Sequence, residues 1–211
     1  MADLNERDAK LVQYLNEAHG KEKELETALQ AHITMTTRAP YKKRLQQHLR
    51  ETKAHAKAVE RRIKKLGGDG TSRVGSAVGK AMAAAKGPMH AVRGTGEQEK
   101  MLKNAKTEYW NEHEEIATYM AIETLAEKVG DKETAKLARD IRREEERMAK
   151  FLEGQIKSLT GAVVQEEVPR AQRSSNNSTR RKTKAATTKK ASTRRRPATA
   201  RGGSGSSRKA R

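Results

Sequence analysis

Four long stretches of this chain carry apolar residues at the spacing of a helix face, which leaves little choice of fold. The first runs from an N-cap at Asp3 to Met35, with Leu11, Leu15, Ala18, Leu25 and Leu29 in register. The second starts at Pro40, a residue suited to a first helical turn, and continues through Leu45, Leu49, Ala56, Val59 and Ile63 to Leu66. Gly67-Gly68 ends it. The third opens at Thr95, with Gln98 completing a capping box, and carries Leu102, Ala105, Tyr109, Ile116, Tyr119 and Met120 to a stop at Gly130. Asp131 caps the fourth, whose face holds Ala138, Ile141, Met148, Leu152, Ile156 and Leu159. The expected helices are 3–35, 40–66, 96–129 and 131–160. The only aromatics are Trp110, Phe151, Tyr14, Tyr41, Tyr109 and Tyr119, so the core must come from aliphatic residues, which suits helices better than a sandwich of sheets.

The connections arrange these helices. Helices one and two, and three and four, are joined by a few residues, so each pair forms an antiparallel hairpin. About thirty residues, Gly67 to Gly96, separate the hairpins. A helix of the second one's size is roughly 40 Å long at 1.5 Å per residue, a distance the link can cross, bringing helix three in parallel to helix two. The expectation is an all-α, ferritin-like four-helix bundle over residues 1–168 with a crossover at 67–95. Val74 to Ala85 reads as a weak fifth helical stretch, because Gly75 and Gly79 lower its propensity.

Carboxylates interrupt the apolar faces. Glu22 occupies the centre of the first stripe and Glu145 the centre of the fourth; Glu112 and Glu115 both lie inward beside Tyr119. In the second helix Glu51 and His55 sit together at one edge of the stripe. A single glutamate on an apolar face commonly pairs with lysine or arginine. Four helices each offering one near mid-length is a different pattern, since buried like charges need a cation between them. Oxygen and imidazole donors suit iron or manganese. The other histidines, His19, His32, His48, His90 and His113, are scattered and read as surface or core-edge residues, with His113 next in line after His55. Tyr119 is a core residue whose hydroxyl can support a ligand carboxylate.

Other chemistries are excluded. The chain has no cysteine, hence no disulfide, iron–sulfur cluster or thiolate zinc site. No Ser-His-Asp order, phosphate loop or dinucleotide fingerprint occurs. No stretch resembles a signal peptide or a membrane span, and the expected setting is cytoplasmic, with no membrane partner.

The body resembles the ferritin-like family of the bacterial YciE and YciF stress proteins, DUF892, over roughly Leu11 to Leu159. The likeness rests on Glu22-Lys-Glu-Leu25 with Ala28-Leu29, His48-Leu-Arg-Glu51-Thr52, His113-Glu-Glu115-Ile-Ala117-Thr-Tyr119, and Glu144-Glu145 before Leu152. It implies a bundle, commonly a homodimer, with a di-iron centre (manganese being the alternative) and ferroxidase-type Fe(II) oxidation. Carried over, the ligands are Glu22, Glu51, Glu115 and Glu145, with His55 in addition, which selects Glu115 over Glu112. The chain departs from the Glu-x-x-His pattern of better-known ferritin-like sites, having Ala54 three residues after Glu51 and Met148 three after Glu145. Ala149 stands where relatives commonly carry an acidic residue.

Charge divides the chain in two. Of 46 Lys and Arg, 15 lie from Pro169 onward, where there is no Asp or Glu; the preceding residues carry 31 basic against 27 acidic side chains. With almost nothing apolar to bury, residues 169–211 are expected to be disordered. Thr179 to Lys190 and Arg194-Arg-Arg-Pro197 resemble in composition the tails of linker histones and actinobacterial nucleoid proteins. The expected partner is double-stranded DNA, bound through Arg180, Arg181, Lys182, Lys184, Lys189, Lys190, Arg194, Arg195, Arg196, Arg201, Arg208, Lys209 and Arg211. No aromatics interleave these charges, so stacking on single strands is disfavoured, and no element reads base edges, so binding should ignore sequence. The expected function is a DNA-tethered, nucleoid-associated stress-protection protein. The alternative is a non-enzymatic DNA-binding protein whose bundle only dimerises.

Overall fold

A computed structural model of the chain describes residues 4–69 and 96–174. Among the described residues, the first unit, Met1–Val168, has four helices: α1 Glu6–Met35, α2 Ala39–Lys65, α3 Glu97–Lys128 and α4 Lys132–Glu167. Local chemistry sets their ends. Asn5 caps α1, its Oδ1 accepting from the Asp8 N–H at 2.8 Å. Asp131 caps α4 by accepting from the Thr134 N–H at 3.0 Å. Gly67 (φ +91°) and Gly130 (φ +75°) adopt the left-handed turn that closes α2 and α3. α4 runs to Glu167, past its expected end near residue 160. Gly161 alone weakens a helix by only about 1 kcal/mol, and the first firm stop is Pro169. The caps proposed at Asp3 and Thr95 and the stretch Val74 to Ala85 lie outside the described residues; α3 is capped by Gly96, and Gln98 accepts from Arg38 Nη2 at 2.7 Å.

The helices pack as a ring in which α1 touches α2 and α3, and α4 touches α3 and α2. Cross-helix contacts fix the directions. Tyr119 reaches Glu22, His32 reaches Glu108, and Thr37 reaches Glu97, so α1 and α3 are antiparallel. His55 meets Glu144 and Arg62 meets Glu133, so α2 and α4 are antiparallel as well. α3 therefore begins at the α1–α2 turn, at the opposite end from Leu66. The connection joins opposite ends of the bundle, and the architecture is the ferritin-like one.

The core forms two main apolar layers. One holds Leu15, Ala18, Val59, Ile63, Tyr119, Ile122, Ala138 and Ile141; the other holds Leu25, Leu29, Tyr41, Leu45, Met101, Ala105, Met148 and Leu152. Each fully buried aliphatic side chain contributes roughly 1.5–3 kcal/mol. One expected stripe is corrected. The buried line of α3 passes through Met101, Ala105, Glu108, Glu112, Glu115, Tyr119, Ile122 and Ala126. Leu102, Tyr109 and Ile116 are only partly buried, and Met120 is 52% exposed. The buried face is offset from that stripe by less than the angle of one residue, and the two share Ala105 and Tyr119.

In the second unit, Pro169–Arg211, residues Arg170–Gln172 form a 3-10 turn, so regular structure extends just past the expected start of the disordered tail. The proposed DNA-binding residues, Arg180 to Arg211, lie outside the described residues.

One polar lock joins the hairpins at the end away from the α1–α2 turn. The buried Arg62 guanidinium donates to Asp131 Oδ2 at 2.5 Å, Thr134 Oγ1 at 2.7 Å and Glu133 Oε2 at 2.8 Å. Asp131 thus caps α4 and neutralises Arg62 at once. Asp131→Ala removes a cap and an ionic hydrogen bond together, and chemical denaturation should show a loss of about 2 kcal/mol.

Candidate metal centre

Between the two apolar layers the bundle interior is polar. α1 contributes Glu22, α2 contributes His48 and His55, α3 contributes Glu112 and Glu115, and α4 contributes Glu145, all buried. His48 and His55 are seven residues apart, nearly two full turns, so both point to one face of α2.

These side chains form two triads that share one carboxylate. Glu22, His55 and Glu145 offer donor atoms within 4.8 Å of one another, and so do His48, Glu112 and Glu145. In the first, His55 Nδ1 lies 2.9 Å from Glu145 Oε1 and 3.6 Å from Glu22 Oε1. In the second, His48 Nε2 lies 3.0 Å from Glu112 Oε1 and 3.7 Å from Glu145 Oε2. The two oxygens of Glu145 therefore face different histidines.

Each histidine is held from behind by a carboxylate. Glu51 Oε2 is 3.3 Å from His48 Nδ1 and is itself fixed by Arg44 at 2.9 Å; Gln47 donates to its other oxygen at 2.8 Å. Glu144 Oε2 is 3.0 Å from His55 Nε2. Such outer carboxylates fix ring orientation and tautomer, so His48 presents Nε2 inward and His55 presents Nδ1. Tyr119 plays the same part for Glu22, donating its hydroxyl to Oε1 at 2.5 Å.

Of the ligands expected from sequence, Glu22, His55 and Glu145 come together. Glu51 does not join either triad; although it shares the face of the two histidines, its carboxylate turns outward to Arg44 and sits behind His48, 22% exposed. Glu115 is buried on the interior line of α3 but stands outside both triads, and Glu112 takes the position expected of it. His48, read from sequence as peripheral, is fully buried. Its seven-residue spacing from His55 is the signal that could have found it. Glu144 was visible only as part of the Glu144-Glu145 pair.

The electrostatics are those of a site short of positive charge. Burial pushes Glu22 up to about 8, and raises Glu112 and Glu115 well above the carboxylate range, Glu115 with added repulsion from Glu22 and Glu145. Burial opposes charge on His55, but Glu145, Glu22 and Glu144 outweigh it and lift the ring to about 9. Burial would also raise Glu145, yet His55, His48 and Glu112 together hold it low. Glu22 Oε2, Glu112 Oε2, Glu145 Oε2 and both oxygens of Glu115 are buried without a hydrogen-bond partner, and His55 Nδ1 has only its contact with Glu145 Oε1 and the longer one to Glu22. Orphaned donors of this kind, converging from four helices, fit a pair of metal ions.

A pH dependence follows. Glu22 and His55 keep protons in the fold to about 8 and about 9, above their unfolded values. Each contributes stability that is complete below its unfolded value and lost as pH rises through the folded one. Carboxylates held low, such as Glu51 at about 2, lose theirs only in acid, outside this window. The metal-free protein should therefore melt lower at pH 9.5 than at pH 6, and a bound divalent cation, displacing those protons, should reverse the trend.

A profile for a domain of unknown function, DUF892, matches residues 6–165. No curated protein matches the chain. Among solved structures, a protein of Xanthomonas campestris pv. campestris is 26% identical with a TM-score of 0.61, covering 77% of this chain and 99% of its own. The E. coli stress protein YciF is 18% identical with a TM-score of 0.64, covering 76% of this chain and 99% of its own. Desulfovibrio desulfuricans bacterioferritin, described with a diiron site, is 19% identical with a TM-score of 0.57, covering 79% of this chain and 86% of its own. The last two likenesses establish the ferritin-like fold, and the profile, spanning most of the sequence, establishes that the chain belongs to the DUF892 family.

Proposed function

We propose that the bundle binds two metal ions, iron first and manganese second, bridged by Glu145, and that it protects DNA to which residues 169–211 tether it. The observation that carries the metal reading is the sharing of Glu145 by two buried triads, each with one histidine. Mixed oxygen and imidazole donors without sulfur suit these metals. The diiron site named for the bacterioferritin and the stress role named for YciF support the same reading.

Glu22 and His55 would hold one ion, His48 and Glu112 the other, and Glu145 both. When bound, a pair of iron ions supplies electrons to a small oxidant such as dioxygen or peroxide. The chain's part is positional. Glu51 and Glu144 accept from the outer nitrogens of the histidines and so orient the inward ones, whose protons a bound cation would displace. Tyr119 holds one oxygen of Glu22 and leaves the other for the ion. Glu115, beside these carboxylates, takes up or gives back a proton as the local charge changes. The two apolar layers exclude bulk water on either side.

The tail reading rests on charge: 15 basic residues and no acidic ones from Pro169 onward. Each phosphate contact releases a condensed counterion. Consuming Fe(II) and peroxide next to DNA would suppress radical damage there, which joins the two parts in one role. A homodimer would double the tails and raise avidity.

Metal analysis and Fe(II) oxidation should separate wild type from a Glu22→Ala/Glu145→Ala variant; an unchanged metal content and oxidation rate would sink the reading. Glu51→Gln and Glu144→Gln should each weaken metal affinity by about 10–100-fold without abolishing it. For the tail, gel-shift titration should give a log–log salt slope of roughly −7 if about eight contacts form at once. A chain shortened to residues 1–168 should lose that binding, and its retention would refute the tether.

A further inference from the structure

A second polar cluster lies one turn from the paired triads. On α3, Glu108 precedes Glu112 by four residues, so the two carboxylates sit one above the other on the same face. Glu108 is fully buried, and its Oε1 meets Nδ1 of His32 from α1. Its other oxygen, Oε2, is buried without a partner. The Tyr41 hydroxyl on α2 and the Asn104 amide nitrogen, one turn earlier on α3, are also buried and unpartnered. Tyr41 is close enough to both Glu108 and Glu112 for their charges to raise its hydroxyl further after burial has done so.

A simple ion pair does not account for this. A pair placed for stability satisfies its own atoms, because each orphaned buried polar atom costs about 1–3 kcal/mol. Here three side chains from two helices, Glu108 among them, leave polar atoms open. An imidazole beside a carboxylate with a free oxygen suits a divalent cation and repels an anion, while the Tyr41 O–H and Asn104 N–H are hydrogen-bond donors for Glu108 or for a cation's bound water. Access also differs from that of the centre. The His32 side chain is 12% exposed, against 7% for His55 and full burial for Glu22, His48, Glu112 and Glu145.

We propose that His32 and Glu108 form an outer divalent-cation site that passes cations inward to Glu112. His32 takes the cation from solvent, Glu108 draws it below the surface, and Glu112 receives it about 6 Å further along α3. No bond other than coordination is made or broken. The site extends the metal-binding reading above but is separable from it, because it shares no ligand with either triad.

Co(II) is a suitable probe. Equilibrium dialysis of the full-length protein should show one Co(II) per chain more in wild type than in Glu108→Gln or His32→Ala. Stopped-flow absorption should show the remaining ions filling several-fold more slowly in both variants. Circular dichroism checks that each variant keeps its helices. Equal counts and equal filling rates in wild type and both variants would overturn the outer site and leave the inner one standing. A count that falls in Glu108→Gln but not in Glu145→Gln would uphold the outer site and overturn the inner one.

Discussion

The rest of this bundle is organised around ionisable side chains withdrawn from water at mid-length. Glu22, Glu112 and Glu145 face His48 and His55, with Glu115 beside the other carboxylates, all with almost no exposure. An isolated carboxylate in such a place is strongly disfavoured, so the group persists only by sharing protons, pairing with imidazolium or holding cations. That requirement shapes the packing. It splits the core into two apolar layers with a polar slab between them. It also turns α3 until Glu108, Glu112 and Glu115 face inward, leaving Trp110 and Met120 on the outside, 66% and 52% exposed.

α2 carries the positive side of this balance. Its two histidines are two turns apart, and both meet Glu145, yet they use different ring nitrogens because different carboxylates stand behind them. The absence of a Glu-x-x-His motif therefore does not leave the centre without imidazole. The histidines come from a single helix at seven-residue spacing instead of one from each of two helices. Glu51, which a motif comparison places among the ligands, is one step further out and acts on His48.

The buried centre and the basic C-terminal segment obey opposite electrostatic rules. In the slab, low dielectric makes each charge depend on its immediate neighbours, and one proton more or less alters the whole set. In residues 169–211 the charges are of one sign, and their effect on a polyanion is set by number and by salt. The near balance of the first 168 residues, 31 basic against 27 acidic, keeps these two regimes chemically distinct.

The helices, their hairpin pairing and the crossover were legible in the sequence, because periodicity, caps and loop length are local properties. Glu22 and Glu145 were legible for the same reason: each stands alone in an otherwise apolar stripe. The choice between Glu112 and Glu115 was not, and likeness to relatives favoured Glu115 where the packing puts Glu112 in a triad. Periodicity places a residue on a face but cannot rotate one helix against its neighbours, and α3 offers two faces of similar polarity. Only tertiary packing decided that Glu108 joins Glu112 and Glu115 on the inward face, that His48 is buried, and that Glu144 and Glu51 hold the histidines. Those facts depend on distances between helices far apart in the chain, and the physical reason they settle as they do is that buried charges must find one another.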